Sequence, residues 1–242
     1  MVLGVETWVV AVLGVALFVG AVVQGTVGLG LGLVGAPVTG LVAPELLPEV
    51  ILWLAMLMAL QTMVTEHRGT DWRGLALALP PRVVGTAIGV WVVATAPIEV
   101  IGVAVGLMVL LSVLLTVRTV TIPVNRVSLP IAGLVSGVAG TATSIGGPPL
   151  AVLYQHHRPY VLRPTLAAYF AIGAALSLVG LGIAGQLDVD TTLLALLLSP
   201  VLALGIVVSL PIRRRVPARL IRTGVLTVCA ASSLALLVRS LV

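Results

Sequence analysis

Apolar residues in this chain come in long unbroken runs, not in the alternating or one-sided patterns of water-soluble strands and helices. Polar breaks and Pro/Gly punctuation cut those runs into ten pieces: 7–24, 28–43, 45–64, 74–95, 98–117, 127–141, 145–155, 165–185, 191–211 and 223–242. Several approach the roughly 20 apolar residues that a helix needs to cross the hydrocarbon core of a bilayer. The expected fold is an all-α integral membrane protein of about eight full spans plus two short segments, 28–43 and 145–155, each interrupted by Gly and Pro and either spanning or re-entrant. The first run has the length of a signal-peptide core. No basic residue precedes it and Glu6 stands in front of it, so a retained helix is expected.

The few charges orient these pieces. All 13 basic residues are Arg, and eleven of them fall in the loops 65–73, 118–126, 156–164 and 212–222. Glu6, Glu45, Glu99, Asp188 and Asp190 fall in the gaps between those loops. If each short segment returns the chain toward the face it came from, all four Arg-rich loops share one face, which the positive-inside rule makes cytoplasmic. If the short segments are plain loops, 118–126 and 156–164 land on opposite faces. The charge pattern therefore favours two hairpins and divides the chain into five-segment halves, 1–117 and 118–242, of opposite orientation in the membrane.

The two halves also align directly. Gly25, Gly28, Gly35 and Pro37 coincide without gaps with Gly137, Gly140, Gly147 and Pro149, and the pair Pro80 and Gly85 recurs as Pro200 and Gly205. Inverted repeats with broken helices at matching places are a signature of secondary transporters, and the breaks point to the substrate site.

Composition agrees: 60% of residues are hydrophobic and only 9% are charged, against about a quarter charged in a soluble domain. The isoelectric point near 10.7 does not imply nucleic acid, because the arginines sit in short loops at helix ends, where they orient the chain and meet anionic lipid. Cys229 is the single cysteine, so no intrachain disulfide forms. Neither a cofactor nor a metal site is expected, and the sequence does not set the oligomeric state.

A Gly/Pro break inside a membrane leaves backbone groups that lipid cannot satisfy, so these breaks imply a polar cavity. A helix that starts at such a break presents unpaired N–H groups and the positive end of its dipole, a ready anion site. Pieces starting near Gly28 and near Ser144 offer such ends, surrounded by Gln24, Thr26, Thr141, Thr143, Ser144, Gly146 and Gly147. Taken singly, each Thr reads better as a packing residue bonded back to its own helix. The recurrence of the two breaks as a pair favours the site.

At this point a resemblance becomes specific. The stretch from Gln24 through Gly28 and Gly30 to Pro37, followed by an apolar span and Asp71, Trp72 and Arg73, resembles the sulfite exporter TauE/SafE family. So does the second half, with Gly140, the block Gly146, Gly147, Pro148 and Pro149, and then Arg163, Pro164, Thr165, Tyr169 and Phe170. The likeness spans nearly the whole chain. It implies a permease for small sulfur-containing anions such as sulfite or sulfonates, coupled to an ion gradient, with H+ or Na+ as the coupling ion.

Five further residues carry two readings each. Arg82, just after Pro80 and Pro81, is either a cavity-facing countercharge for the anion or the snorkelling start of a helix at the membrane surface. Glu49 is a proton-coupling carboxylate or an interfacial acid at a helix N-terminus. Gln61 donates to substrate or bonds another helix. His156 is a relay or gate, or part of an interfacial belt with His157, and no acid or cysteine cluster accompanies it to hold a metal. Tyr169 reaches the cavity or packs. The expected function is a secondary transporter. A channel would share the helix-end ligation, and an intramembrane enzyme using Ser144 and His156 lacks a third, orienting group.

Overall fold

In a computed structural model, the structure describes residues 1–28, 30–66, 68–117, 122–215 and 218–241, with backbone alone at 27, 116–117, 213–215, 218–225 and 241. His67, Arg118 and the side chains of Arg213, Arg214, Arg215, Arg219 and Arg222 therefore lie outside the described residues. The chain forms α1 (Thr7–Val27), α2 (Leu31–Val42), a 3-10 turn (Pro44–Leu46), α3 (Glu49–Thr65), α4 (Trp72–Thr95) and α5 (Ile98–Val117). It continues as α6 (Ser128–Thr143), α7 (Gly147–Tyr154), α8 (Pro159–Ile183), α9 (Val189–Arg215) and α10 (Ala218–Leu241).

Each helix has the composition of a lipid-exposed rod. Val15, Leu107, Ile183 and Val207 point outward, Ile183 being 84% exposed, while Arg82, Ser136, Thr141, Thr165 and Ser177 are buried. That is the reverse of a water-soluble fold, and a bilayer is the solvent that makes it stable. Among the described residues five helices are long and apolar enough to cross a membrane: Thr7–Thr26, Trp72–Thr95, Ile98–Leu115, Pro159–Ile183 and Val189–Ile212. Shorter apolar helices among the described residues are Leu31–Val42, Glu49–Thr65, Ser128–Thr143 and Leu226–Ser240. With 12 and 8 residues, α2 and α7 reach about 18 and 12 Å, well short of the roughly 30 Å core.

The ten expected pieces recur as ten helices, with shifted ends. Gly28 has φ +95° and closes α1, its N–H donating to the Gln24 carbonyl, so α2 begins at Leu31 and not at Gly28. Ser144 ends α6 in the same left-handed region, at φ +61°, a conformation that costs a non-glycine residue energy unless its surroundings hold it. The largest displacement is α8, which starts at Pro159, six residues before the expected 165. Proline suits a first turn, and the interior Pro164 gives up one backbone bond without ending the helix.

The closest packing is between α4 and α6. A Cβ on Gly133 would lie 2.0 Å from the carbonyl oxygen of Ala78, and one on Gly85 would lie 2.2 Å from that of Leu134. With Gly137 one turn after Gly133, the two backbones touch as small-residue membrane interfaces do. The other principal neighbours are α1 with α9, α3 with α8, and α5 with α10. One apolar cluster joins Leu13 and Leu17 of α1 to Leu31, Ile51, Val105, Leu198 and Leu236. A second joins Leu75, Ala132, Leu150, Tyr154 and Tyr169.

Two groups of loops are tied together at opposite ends of the bundle. At one end the Asp71 N–H donates to Thr165 Oγ1 (2.9 Å) and the Tyr154 hydroxyl donates to Asp71 Oδ2 (2.7 Å), joining 65–73 to the residues that flank 156–164. At the other, the Asp188 N–H donates to Glu49 Oε2 (2.9 Å) and Thr192 Oγ1 donates to Glu49 Oε1 (2.6 Å).

Candidate functional site

The two helix breaks meet. A Cβ on Gly32, in the first turn of α2, would stand 2.9 Å from the carbonyl oxygen of Ser144. Between the breaks lies a cavity of about 60 Å³, space for several water-sized groups and on the scale of a small oxyanion. Its polar rim is formed by Gln24, Arg82, Ser144, Gly146 and Gly147, and its apolar wall by Leu33, Leu52, Ala55, Phe170 and Ala174.

Three sources of positive potential converge here. The first turn of α2 brings Gly32 and Leu33 to the cavity, and N–H groups in a first turn have no intrahelical partner. Gln24 Oε1 accepts from the Leu31 N–H (3.0 Å), so α1 fixes where α2 begins. The start of α7 supplies Gly146 and Gly147, while Pro148 and Pro149 bring no N–H of their own.

The third source is Arg82. It is 3% exposed, packed inside the bundle. One terminal nitrogen donates to Ser136 Oγ (3.0 Å), Ser136 in turn donates to the Gly146 carbonyl, and the guanidinium carbon stands 4.2 Å from the centre of the Tyr169 ring. Among the described residues its Nε has no hydrogen-bond partner, and neither has the Tyr169 hydroxyl. Among the described residues no carboxylate lies within ion-pairing distance of it. A buried guanidinium without an acid is expensive unless dipoles or an anion compensate it. Here the ring face and Ser136 do part of that work.

Of the residues expected at the site, Gln24, Arg82, Ser144, Gly146 and Gly147 line one cavity. Gly28 lines a smaller neighbouring space with Gln24, and its N–H is already taken by the α1 cap. Thr26 donates to the Val23 carbonyl, Thr143 to the Ala139 carbonyl, and the Thr141 hydroxyl bonds Ser177 Oγ, so these three brace helices. Ser144 Oγ donates to the Pro48 carbonyl (2.9 Å), tying the second break to the start of α3. Gln61 and His156 are exposed, away from the cavity. Glu49 is buried and holds the turn between α8 and α9. Tyr169 reaches the site through its ring, beneath Arg82.

Sequence reasoning missed Ser136, Phe170 and the apolar wall from α3. Ser136 carries no motif. Phe170 follows Tyr169 directly, and the 100° step per helical residue is what lets the two adjacent rings serve different roles.

At the loop end that carries arginines, Asp71 caps α4 by accepting from the Gly74 N–H (3.0 Å). Burial pushes its carboxyl up, but the bonds from Tyr154 and from the Gly74 and Arg73 N–H groups outweigh that and leave it below its ordinary value.

Residues 12–236 match the family model described as "Sulfite exporter TauE/SafE". No curated protein and no solved structure matches the chain.

Proposed function

The chain belongs to the sulfite exporter TauE/SafE family, a family of membrane transporters and not of enzymes, and from that premise we propose that it moves small sulfur oxyanions, sulfite or organosulfonates, across the cytoplasmic membrane. The observation that carries this reading is Arg82: a buried guanidinium, unopposed by any described carboxylate, on a cavity that two helix starts also make positive. An anion entering this cavity loses its hydration. It gains a charge-assisted bond from the free edge of the guanidinium and dipole stabilisation from α2 and α7.

Gln24, Ser144 and the N–H groups of Gly32, Leu33 and Gly147 surround the oxygens. Leu33, Leu52, Ala55 and Phe170 receive the sulfur and any short organic tail. Thr26, Thr141 and Thr143 act through the helices they brace. Transport is coupled to an ion gradient, of H+ or Na+.

We also propose that the halves 1–117 and 118–242 are inverted repeats. Exchanging α1–α5 with α6–α10 turns the α4 to α6 contact into the α9 to α1 contact and leaves α3 with α8 and α5 with α10 unchanged, and all four are principal contacts of the bundle. Gly25 and Gly137 support the same reading, since the first packs on Ser209 of α9 and the second on Arg82 and Gly85 of α4. The Arg-rich loops then face the cytoplasm.

The deciding experiment is uptake of labelled sulfite and a sulfonate into proteoliposomes, with and without pH and Na+ gradients, by the unaltered chain and by Arg82→Gln. Accumulation against the substrate's own gradient, lost in Arg82→Gln, is expected. Flux that only ever equalises concentrations would make the protein a channel, and transport unaffected by Arg82→Gln would sink the site.

A further inference from the structure

The Arg82 cavity is not isolated. Gln24 and Phe170 line both it and a smaller space of about 20 Å³, which is bounded on its far side by Arg163. Arg163 in turn lines an open vestibule of about 570 Å³ together with Glu66, Arg68 and Tyr160. The three spaces run in series through shared residues, from the cavity to the end of the bundle where loops 65–73 and 156–164 meet.

Arg163 stands between the smallest of the three spaces and the vestibule. Its Nε donates to Glu66 Oε2 (2.8 Å) and a terminal nitrogen donates to the Gly25 carbonyl (3.4 Å), so one side chain ties α8, the end of α3 and the last turn of α1 together. Arg163 is 12% exposed and Glu66 33%. The pair is thus neither dry enough to be permanent nor wet enough to be negligible. Ala59 and Thr62 of α3 and Ala167 of α8 wall the space behind it, and none of them is charged.

Resting on the reading of Arg82 as the inner anion site, we propose that Arg163 is a second anion station on the substrate's route, held shut by Glu66. A substrate oxyanion arriving in the vestibule meets Arg68 and then competes with the Glu66 carboxylate for the same guanidinium. Exchange of one carboxylate for one oxyanion keeps Arg163 paired throughout, and it releases α3 from α8 at the moment that substrate is present. A bare hydrophobic plug would open as readily without substrate. An arginine that trades acids opens for anions.

The test uses the full chain in nanodiscs with Cys229→Ser and Ala59→Cys, which places a lone thiol behind Arg163. Its labelling rate is compared for two thiol reagents of similar size, the anionic sulfonatoethyl methanethiosulfonate and the cationic trimethylammonioethyl methanethiosulfonate. With Glu66 and Arg163 intact, both are expected to label slowly. Glu66→Gln should raise the anionic rate about fivefold relative to the cationic one, and Arg163→Gln should admit both without that preference. Glu66→Asp, which keeps the charge, should stay slow with both. Equal acceleration of the two reagents in Glu66→Gln would mean mere loosening and would overturn the anion station; no acceleration of either would overturn the gate. Sulfite binding is measured separately on the same chains. Its absence from the unaltered chain would sink the Arg82 reading, while the reagent ratio alone judges Arg163.

Discussion

The guanidinium of Arg82 lies 4.2 Å from the centre of the Tyr169 ring, joining α4 to α8 across the bundle at the cavity. The ring stabilises the cation without neutralising it, because a quadrupole carries no net charge. Away from Ser136, the guanidinium Nε has no hydrogen-bond partner among the described residues.

Arg82→Lys should keep some transport and Arg82→Gln almost none. Lysine supplies the charge but not the planar fork that bonds Ser136 and stacks on Tyr169. Sulfite affinity, read by calorimetry on detergent-purified protein, should fall by about tenfold or more in Arg82→Lys, the loss expected when about 1.4 kcal/mol of bidentate bonding disappears. Equal affinity in the two proteins would show that charge alone suffices.

Gly173→Ala offers a way to move Arg82 without altering it. A Cβ at Gly173 would lie 1.9 Å from the guanidinium carbon, and since the obstacle is the end of a flexible side chain, Arg82 shifts and the helix does not. Alanine is also the better helix former, by up to about 1 kcal/mol. Folded yield should therefore hold while sulfite uptake falls towards that of Arg82→Gln. Normal uptake would show that Arg82 has room to serve from another position.

Thr26 and Ser144 look equivalent in the sequence and separate in the structure. Thr26 Oγ1 is occupied by the Val23 carbonyl, whereas Ser144 lines the cavity and bonds Pro48. Thr26→Val should change transport less than about twofold, the effect of one neutral bond within a helix. Ser144→Ala should weaken it severalfold, with KM rising more than kcat falls. Parallel effects of the two substitutions would contradict this assignment.

Asp71→Ala removes both the cap of α4 and the acceptor for Tyr154. A lost cap costs about 1 kcal/mol, seen as a lower Tm at neutral pH. Because the folded carboxyl titrates below its ordinary value, its stabilisation is complete above the unfolded pKa of about 3.9 and disappears as pH falls through the lower folded value. The Tm difference between the unaltered chain and Asp71→Ala should accordingly be constant from pH 7 to pH 5 and shrink below about pH 4. A difference independent of pH would leave the cap without its charge.

The order and number of helices were legible because each apolar run ends at Gly, Pro or a charge. The two short helices were legible because Gly and Pro interrupt the apolar runs 28–43 and 145–155. The lining of the candidate cavity was legible where backbone chemistry marks it, at Gly146, Gly147 and Ser144, and where a charge stands out in an apolar stretch, at Arg82. Start positions were harder to read. Gly28 suits the end of one helix as well as the beginning of the next, and only the tertiary bond from the Leu31 N–H to Gln24 decides between them. Ser136 and Phe170 were hidden for a different reason: their roles come from helix crossings, which periodicity alone does not fix. Glu49, which the sequence leaves open between a coupling carboxylate and an acid at a helix start, has both oxygens engaged in holding a turn.

Arg82 has no counterpart in the other half: the spacing that sets Pro80 and Gly85 on Pro200 and Gly205 sets it on Leu202. The proposed repeats thus differ in charge at this position, and this gives the proposed transport cycle a voltage signature. Arg82 and a bound monoanion cancel, so apart from a coupling cation the loaded centre is neutral and indifferent to the membrane potential. Empty, it carries one positive charge through part of the field, worth about 2.3 kcal/mol per 100 mV for a full crossing. Return of the empty carrier is the step that a potential should speed or slow, so a potassium diffusion potential is expected to alter net sulfite flux while leaving one-for-one sulfite exchange unchanged.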